Sequence, residues 1–313
     1  MIVTVTLNPS LDRAIEVERL VRGDVIRATR AHLDPGGKGV NVSRALLANG
    51  VPSCAVLPCG ADEGRQLVGL LQTEGVEVRA VPIAGRTRSN ITLAEPDGTV
   101  TKINEPGPAL SAAEFAAVSD EVLAVTGAAD WVVVCGSVPP DLPTRLFVRL
   151  CERLVTAGVR LAVDTSGPAL MAAATAGAAL LKPNRDELAE AIGMPLTSLR
   201  DVVRAARRLR AQGAGAVLAS LGADGAVLVD ADGVIAGQSP VARPRSSVGA
   251  GDALLAGFLA AGAKGAVALA EGLAWGAAAV RLPGSRMPGP ADLIRDHVRI
   301  HSHPDEIRLL LDT

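Results

Sequence analysis

The chain has 313 residues, 31 Lys+Arg against 33 Asp+Glu, and a formal net charge of −2. Apolar residues make up 49% and the mean hydropathy is +0.31, which excludes disorder as the main state and leaves ample material for a core. Balanced charge and few aromatics (Phe115, Phe147, Phe258, Trp131, Trp275, no Tyr) exclude a nucleic-acid binder working by phosphate neutralisation or base stacking.

The N-terminus, MIVTVTLNPSLD, has no basic leader and meets its first charge at Asp12, so residues 2–7 read as a buried strand, not a signal peptide. Continuous apolar runs at 131–135, 159–164, 178–182 and 215–220 have the composition of parallel strands covered on both faces. Helical patterns fall between them, over 62–73, 111–125, 143–157, 184–192 and 198–212. The last places Leu199, Val202, Val203, Ala206 and Leu209 on one stripe and stops at Gly213. Alternation of this kind predicts an α/β fold with an open, mainly parallel sheet and helices on both sides. The Ala-rich tract 256–280 continues as helix, and the C-terminal His301-x-His303 reads as exposed tail.

Two stretches break the rhythm. Residues 13–34 and 87–104 alternate apolar and polar residues around Arg22-Gly23-Asp24 and Pro96-Asp97-Gly98, the pattern of hairpins with one wet face. Together they predict a small β lid on one α/β body spanning residues 1–313. No stretch crosses a membrane: the longest uncharged one, 165–181, is short and broken by Gly167, Pro168 and Gly177. Four cysteines (Cys54, Cys59, Cys135, Cys151) form neither a disulfide framework nor a zinc spacing. A soluble cytoplasmic protein is expected.

Five sites carry possible chemistry. In Ser246-Ser247-Val248-Gly249-Ala250-Gly251-Asp252 the glycines let the backbone approach a ligand and open a helix whose N-terminus favours an anion. Asp252 in that first turn suits a general base for an attacking hydroxyl, or, more blandly, a helix cap. Gly36-Gly37-Lys38-Gly39 also opens a helix, with Lys38 and Asn41 as donors, but lacks the spacing of a Walker A loop; an ordinary tight junction explains it too. In Lys182-Pro183-Asn184-Arg185-Asp186-Glu187, Asn184 and Glu187 share a helix face, which suits hydrated Mg²⁺ or a capping box. Ser220-Leu221-Gly222-Ala223-Asp224-Gly225 reads as a nucleotide border or a plain hairpin. Arg88, beside Asn90 on the lid, has no obvious local acidic partner and is either a solvated surface residue or a phosphate clamp.

Taken in this order, the segments resemble the ribokinase-like carbohydrate kinases of the phosphofructokinase-B type, especially their bacterial 1-phosphofructokinase and tagatose-6-phosphate kinase branch. The stretches are TLNPSLD (6–12), GGKGVNVSRAL (36–46), GRTRSN (85–90), KINEPGP (102–108), GSVPPD (136–141), KPNRDEL (182–188), SLGADGA (220–226) and SVGAGD (247–252). The resemblance implies Asp252 as catalytic base and Gly249, Ala250 and Gly251 as an anion hole. It implies Asn184 and Glu187 as a Mg²⁺ motif, and Lys182, Asn184, Ser220, Gly222, Gly225, Ser247 and Val248 around ATP. Asp12, Gly37, Lys38, Asn41, Arg88, Asn90 and Ser137 would face the sugar phosphate. Ser247 stands where Thr is usual and keeps the hydroxyl.

The implied reaction is ATP-dependent phosphorylation of D-fructose 1-phosphate to fructose 1,6-bisphosphate. Tagatose 6-phosphate or fructose 6-phosphate as substrate, or a non-catalytic sugar-phosphate sensor, are the alternatives. Asp252, taken as exposed, would titrate near ~3.9 and be a weak base, with proton removal late. A dinucleotide oxidoreductase would need G-x-G-x-x-G after the first strand, where TLNPSLD stands. Exposed lid edges suggest a homodimer through the lid.

Overall fold

A computed structural model describes residues 1–305 and 307–311. Its main sheet begins with β1 (Ile2–Thr6), and a small sheet follows with β2 (Ser10–Val17) and β3 (Ala28–Gly36). Then come α1 (Lys38–Ala48), β4 (Ser53–Cys59), α2 (Ala61–Glu74) and β5 (Glu77–Pro82). The small sheet is completed by β6 (Arg88–Ala94) and β7 (Val100–Asn104). The chain then runs through α3 (Ala112–Val125), β8 (Trp131–Cys135), α4 (Thr144–Thr156), β9 (Leu161–Asp164), α5 (Gly167–Thr175) and β10 (Leu180–Leu181). Next are α6 (Arg185–Ile192), α7 (Leu199–Ala211), β11 (Ala216–Ser220), β12 (Ala226–Val229) and β13 (Val234–Gln238). Last are α8 (Ala250–Ala260), α9 (Gly265–Arg281) and β14 (Arg299–His301).

The main sheet has the strand order β14-β13-β12-β11-β10-β9-β8-β1-β4-β5. It is parallel from β5 to β11 and antiparallel from β11 to β14. Successive side chains of a strand point to opposite faces, and here both faces are covered. In β8, Val132 and Val134 join Val3 and Val5 in the core under α3, α4, α5 and α7, while Trp131, Val133 and Cys135 pack with α1, α8 and α9. That two-sided burial is why these strands are unbroken apolar runs.

The small sheet has the order β3-β2-β6-β7, so the two expected hairpins do pair, through parallel β2 and β6. It starts at Ser10, three residues before the expected boundary, which brings Asp12 into the strand. The Ala-rich tract is two helices rather than one, broken at 261–264, where Gly262 and Ala263 adopt positive φ. Strands β4 and β5 and helix α5 go beyond the predicted elements, and the supposed tail contributes β14, whose His301 pairs with Ala236. Among the described residues, no helix is long and apolar enough to cross a membrane.

Candidate active site

The residues singled out from sequence lie at the carboxyl ends of the parallel strands, where open α/β sheets bind ligands. Asp12 follows β1, Ser137 follows β8, Lys182 follows β10, and Ser220 ends β11; Asn8, also after β1, was not singled out. Asp164 ends β9 at the same edge; it was not among the sequence candidates. The available signal was a carboxylate closing the apolar run LAVD.

Gly249 precedes α8 at φ 74, no side chain caps the helix, and Gly251 and Asp252 N–H have no intrahelical acceptor. Asp252 therefore does not serve as a cap. Its buried carboxylate (6% exposed) accepts a hydrogen bond of 2.8 Å from Asn41 Nδ2 on α1. The Gly-rich helix start thus meets the second Gly-rich helix start. Burial, reinforced by the nearby charge of Asp164 and opposed by Lys182, pushes the Asp252 carboxyl up to about 6. The exposed, weakly basic Asp expected from sequence is corrected: desolvation makes it a better base.

Behind it, Asp164 is fully buried between two lysines, 2.7 Å from Lys38 Nζ and 2.8 Å from Lys182 Nζ. Burial opposes its ionisation, but Lys182 and Lys38 together hold its pKa below the usual value. Lys38 also donates to Glu187 at 2.9 Å. Burial works against its charge too, yet the two carboxylates raise its pKa. Lys38 is thus committed to acidic partners, whereas Lys182 Nζ would lie 3.3 Å from a Cβ added at Gly251, beside the α8 N-terminus.

Asn184 and Glu187 form the capping box: Glu187 N–H donates to Asn184 Oδ1 and Asn184 N–H to Glu187 Oε2, both at 2.8 Å. Ser220 pairs with Asn184 in a single parallel bridge. The segment after Ser220 is a hairpin, β11–β12, turning through residues 222–224 with Gly222 and Gly225 at positive φ. Ser247 and Val248 lead into α8, where Val248 N–H donates to Ser246 Oγ.

On the other side, β2–β6 register sets Ser10 opposite Arg88 and Asp12 opposite Asn90. Asp12 Oδ1 accepts from Ser10 Oγ (2.6 Å) and Asn90 Nδ2 (2.9 Å). Burial raises its pKa, with those bonds and the Arg88 charge opposing. Gly36 is needed here, because a Cβ would stand 2.4 Å from the Asp12 carboxyl carbon. Gly37, at φ 120, then turns the chain into α1. Arg88 does find a partner, the carbonyl of Glu105 at 3.1 Å, with the Glu105 carboxylate and Asp12 as nearby charges. Asn8 Nδ2 donates to Ser137 Oγ and to Pro106 O. Among the buried polar atoms without a hydrogen-bond partner are Asn8 Oδ1, Asn41 Oδ1, Arg88 Nε and Asn90 Oδ1. Buried polar atoms are ordinarily satisfied, so this side offers one donor, Arg88 Nε, and otherwise amide-oxygen acceptors to a polar ligand.

These contacts link the residues from Asn41 to Asp252, Lys182, Asp164, Lys38, Glu187, Asn184 and Ser220, with Asp12, Arg88 and Asn90 joined at Gly36. A cavity of about 730 Å³, lined by Arg200, Asp232, His303 and neighbours, shares no residue with this cluster.

The profile described as pfkB family carbohydrate kinase matches residues 5–291. A 1-phosphofructokinase of Bacillus subtilis (strain 168) is 37% identical over 260 residues, 83% of this chain and 85% of its own length. The structure of phosphofructokinase-2 from Escherichia coli in complex with fructose-6-phosphate superposes with a TM-score of 0.86 at 33% identity, covering 93% of this chain and 96% of that one. Arabidopsis thaliana ribokinase complexed with ribose and ATP gives a TM-score of 0.73 at 23% identity, covering 93% and 96%; it shares the fold.

Proposed function

The chain belongs to the pfkB family of carbohydrate kinases, and from that premise we propose that it phosphorylates D-fructose 1-phosphate to fructose 1,6-bisphosphate with ATP. The observation that carries the reading is Asp252: a buried carboxylate titrating at about 6, held by Asn41, in the uncapped first turn of α8. A base with that pKa is ionised at neutral pH and accepts a hydroxyl proton better than a solvated aspartate does.

The sugar phosphate binds toward Asp12, Gly37, Asn41, Asn90 and Ser137, with Arg88 as the clamp for the phosphate it already carries. Its free primary hydroxyl is held at Asp252 and attacks the γ-phosphorus of ATP in line; the proton passes to Asp252 Oδ and ADP leaves. The N–H groups of Gly249 and Gly251 and the Lys182 ammonium stabilise the transferring charge, while the Ala250 N–H is given to the Ser247 carbonyl at 3.4 Å. Ser220, Gly222, Gly225, Ser247 and Val248 border the nucleotide. Asn184 and Glu187 offer oxygen donors only, which fits a Mg²⁺ held through its waters, and that ion would supply charge neutralisation on the phosphates. Lys38 serves by holding Glu187 and Asp164 rather than by touching the sugar.

Fructose 6-phosphate is the second reading, favoured by the likeness to the Escherichia coli enzyme. A bisphosphorylated ketohexose has a phosphate at each end, so a site built for one end accepts a related monophosphate reversed. Tagatose 6-phosphate belongs to the same group. A non-catalytic sensor has no need of Asp252 raised toward neutrality. We further place the protein in the cytoplasm, as a homodimer paired through the lid formed by β2, β3, β6 and β7.

The test is ADP release with Mg-ATP across fructose 1-phosphate, fructose 6-phosphate, tagatose 6-phosphate and fructose, with Asp252→Asn alongside. Highest kcat/KM on fructose 1-phosphate, lost in the variant, supports the reading. Preference for another phosphosugar moves the substrate, and no turnover with intact phosphosugar binding leaves the sensor.

A further inference from the structure

Beyond residue 291, where the family match ends, the chain returns to the proposed nucleotide side. Asp224, in the β11–β12 turn, is only 5% exposed and makes three contacts with the C-terminal segment. Its carboxylate accepts from Arg308 Nη1 at 2.9 Å and from the Leu311 N–H at 2.8 Å, and its carbonyl accepts from Arg308 Nη2 at 3.3 Å. The same segment is held from the other loop: Arg185, next to Asn184, donates Nη1 to Leu311 O at 2.6 Å and Nε to Leu196 O at 2.8 Å. Two main-chain bonds, Leu199 N–H to Arg308 O and Leu310 N–H to Thr197 O, and the buried Leu310 complete the anchorage.

We infer that residues 308–311 are a strap fixing the nucleotide-bordering turn 220–225 against the helix start at 184–187, with Arg308 and Asp224 as positioning residues for ATP. This rests on the nucleotide assignment above. Asn184 and Ser220 are bridged in register with the β10–β11 ladder, and Ser220 N–H donates to Pro183 O at 3.0 Å; past that point the C-terminal segment adds a further tie between the two loops. Asp224 supplies it from one loop and Arg185 from the other, both onto Leu311. The Arg308–Asp224 contact is charge-assisted, with the carboxylate buried and the Arg308 side chain 34% exposed.

The test compares wild type with Arg308→Ala, Arg308→Lys and Leu311→Pro; the last removes one N–H donor and leaves the charges alone. Titration calorimetry with a non-hydrolysable Mg-ATP analogue and, separately, fructose 1-phosphate is paired with KM for each substrate. Arg308→Ala and Leu311→Pro are expected to weaken nucleotide binding and raise KM for ATP about tenfold, the size of a lost charge-assisted bond. Phosphosugar binding should stay within twofold, and Arg308→Lys should recover part of the loss. Nucleotide affinity equal to wild type in both folded variants, or equal weakening toward both substrates, overturns the strap. Should Arg308→Ala not fold, Leu311→Pro decides alone. Should wild type not bind the nucleotide analogue, the nucleotide assignment itself falls and takes the strap with it.

Discussion

Asp252 illustrates how one side chain couples activity to stability. Its folded pKa of about 6 lies above the ordinary 3.8, so between those values the native state holds a proton that the unfolded chain has released. Its contribution to stability therefore declines as pH rises through that window, and ionised Asp252 is a burden at neutral pH. Asp252→Asn should cost about 10²–10⁴ in kcat. The same variant should raise the thermal midpoint at pH 7 by about a few °C, a gap that closes toward pH 4, readable by calorimetry across pH. In wild type, kcat/KM should fall as pH drops below about 6, when Asp252 takes up its proton. Asp164 has the opposite sign. Its pKa is depressed, so its contribution is present at neutral pH and is lost only as pH falls below 3.8 through the folded value. Asp164→Ala strands Lys182, 3% exposed, without its ion-pair partner, and chemical denaturation should show a loss of about 3–5 kcal/mol.

Among the elements, α8 and α9 hold the proposed base in place by close backbone approach. A Cβ at Gly272 of α9 would stand 2.7 Å from the Leu254 carbonyl of α8, and one at Gly257 would stand 2.7 Å from the Trp275 ring. Gly272→Ala should push the helices apart and lower stability by about 1–3 kcal/mol by urea titration. The strands and most helices were legible because their periodicity is local: WVVVC and LRDVVRAARRLRA declare themselves without their neighbours. The break between α8 and α9 had a local signal, Gly262 and Gly265, set within an alanine-rich tract whose residues carry little face to mark two separate helices. Capping in α6 and the β11–β12 hairpin follow from their own residues, and both bland readings hold alongside any ligand role.

For the whole molecule, the small sheet and its β2–β3 connection leave apolar side chains uncovered, Val100 at 52% and Ile103 at 54% exposed on β7 and Val25 at 85% in the connection. Its outer strands β3 and β7 have free edges, and pairing with a second copy would cover them. Light scattering after gel filtration should give about twice 31.8 kDa, and Ile103→Asp should shift it toward the monomer; a monomeric wild type removes the dimer.

By itself the sequence determined the α/β alternation, the two hairpins and the glycine-led helix starts, since each depends on residues within a few positions. Only the tertiary structure decided that Asp252 is buried against Asn41, 211 residues away, that Lys38 answers Asp164 and Glu187, and that Arg308 reaches Asp224. Desolvation and Coulomb pairing sum over whatever the fold brings near, and no spacing along the chain encodes that sum.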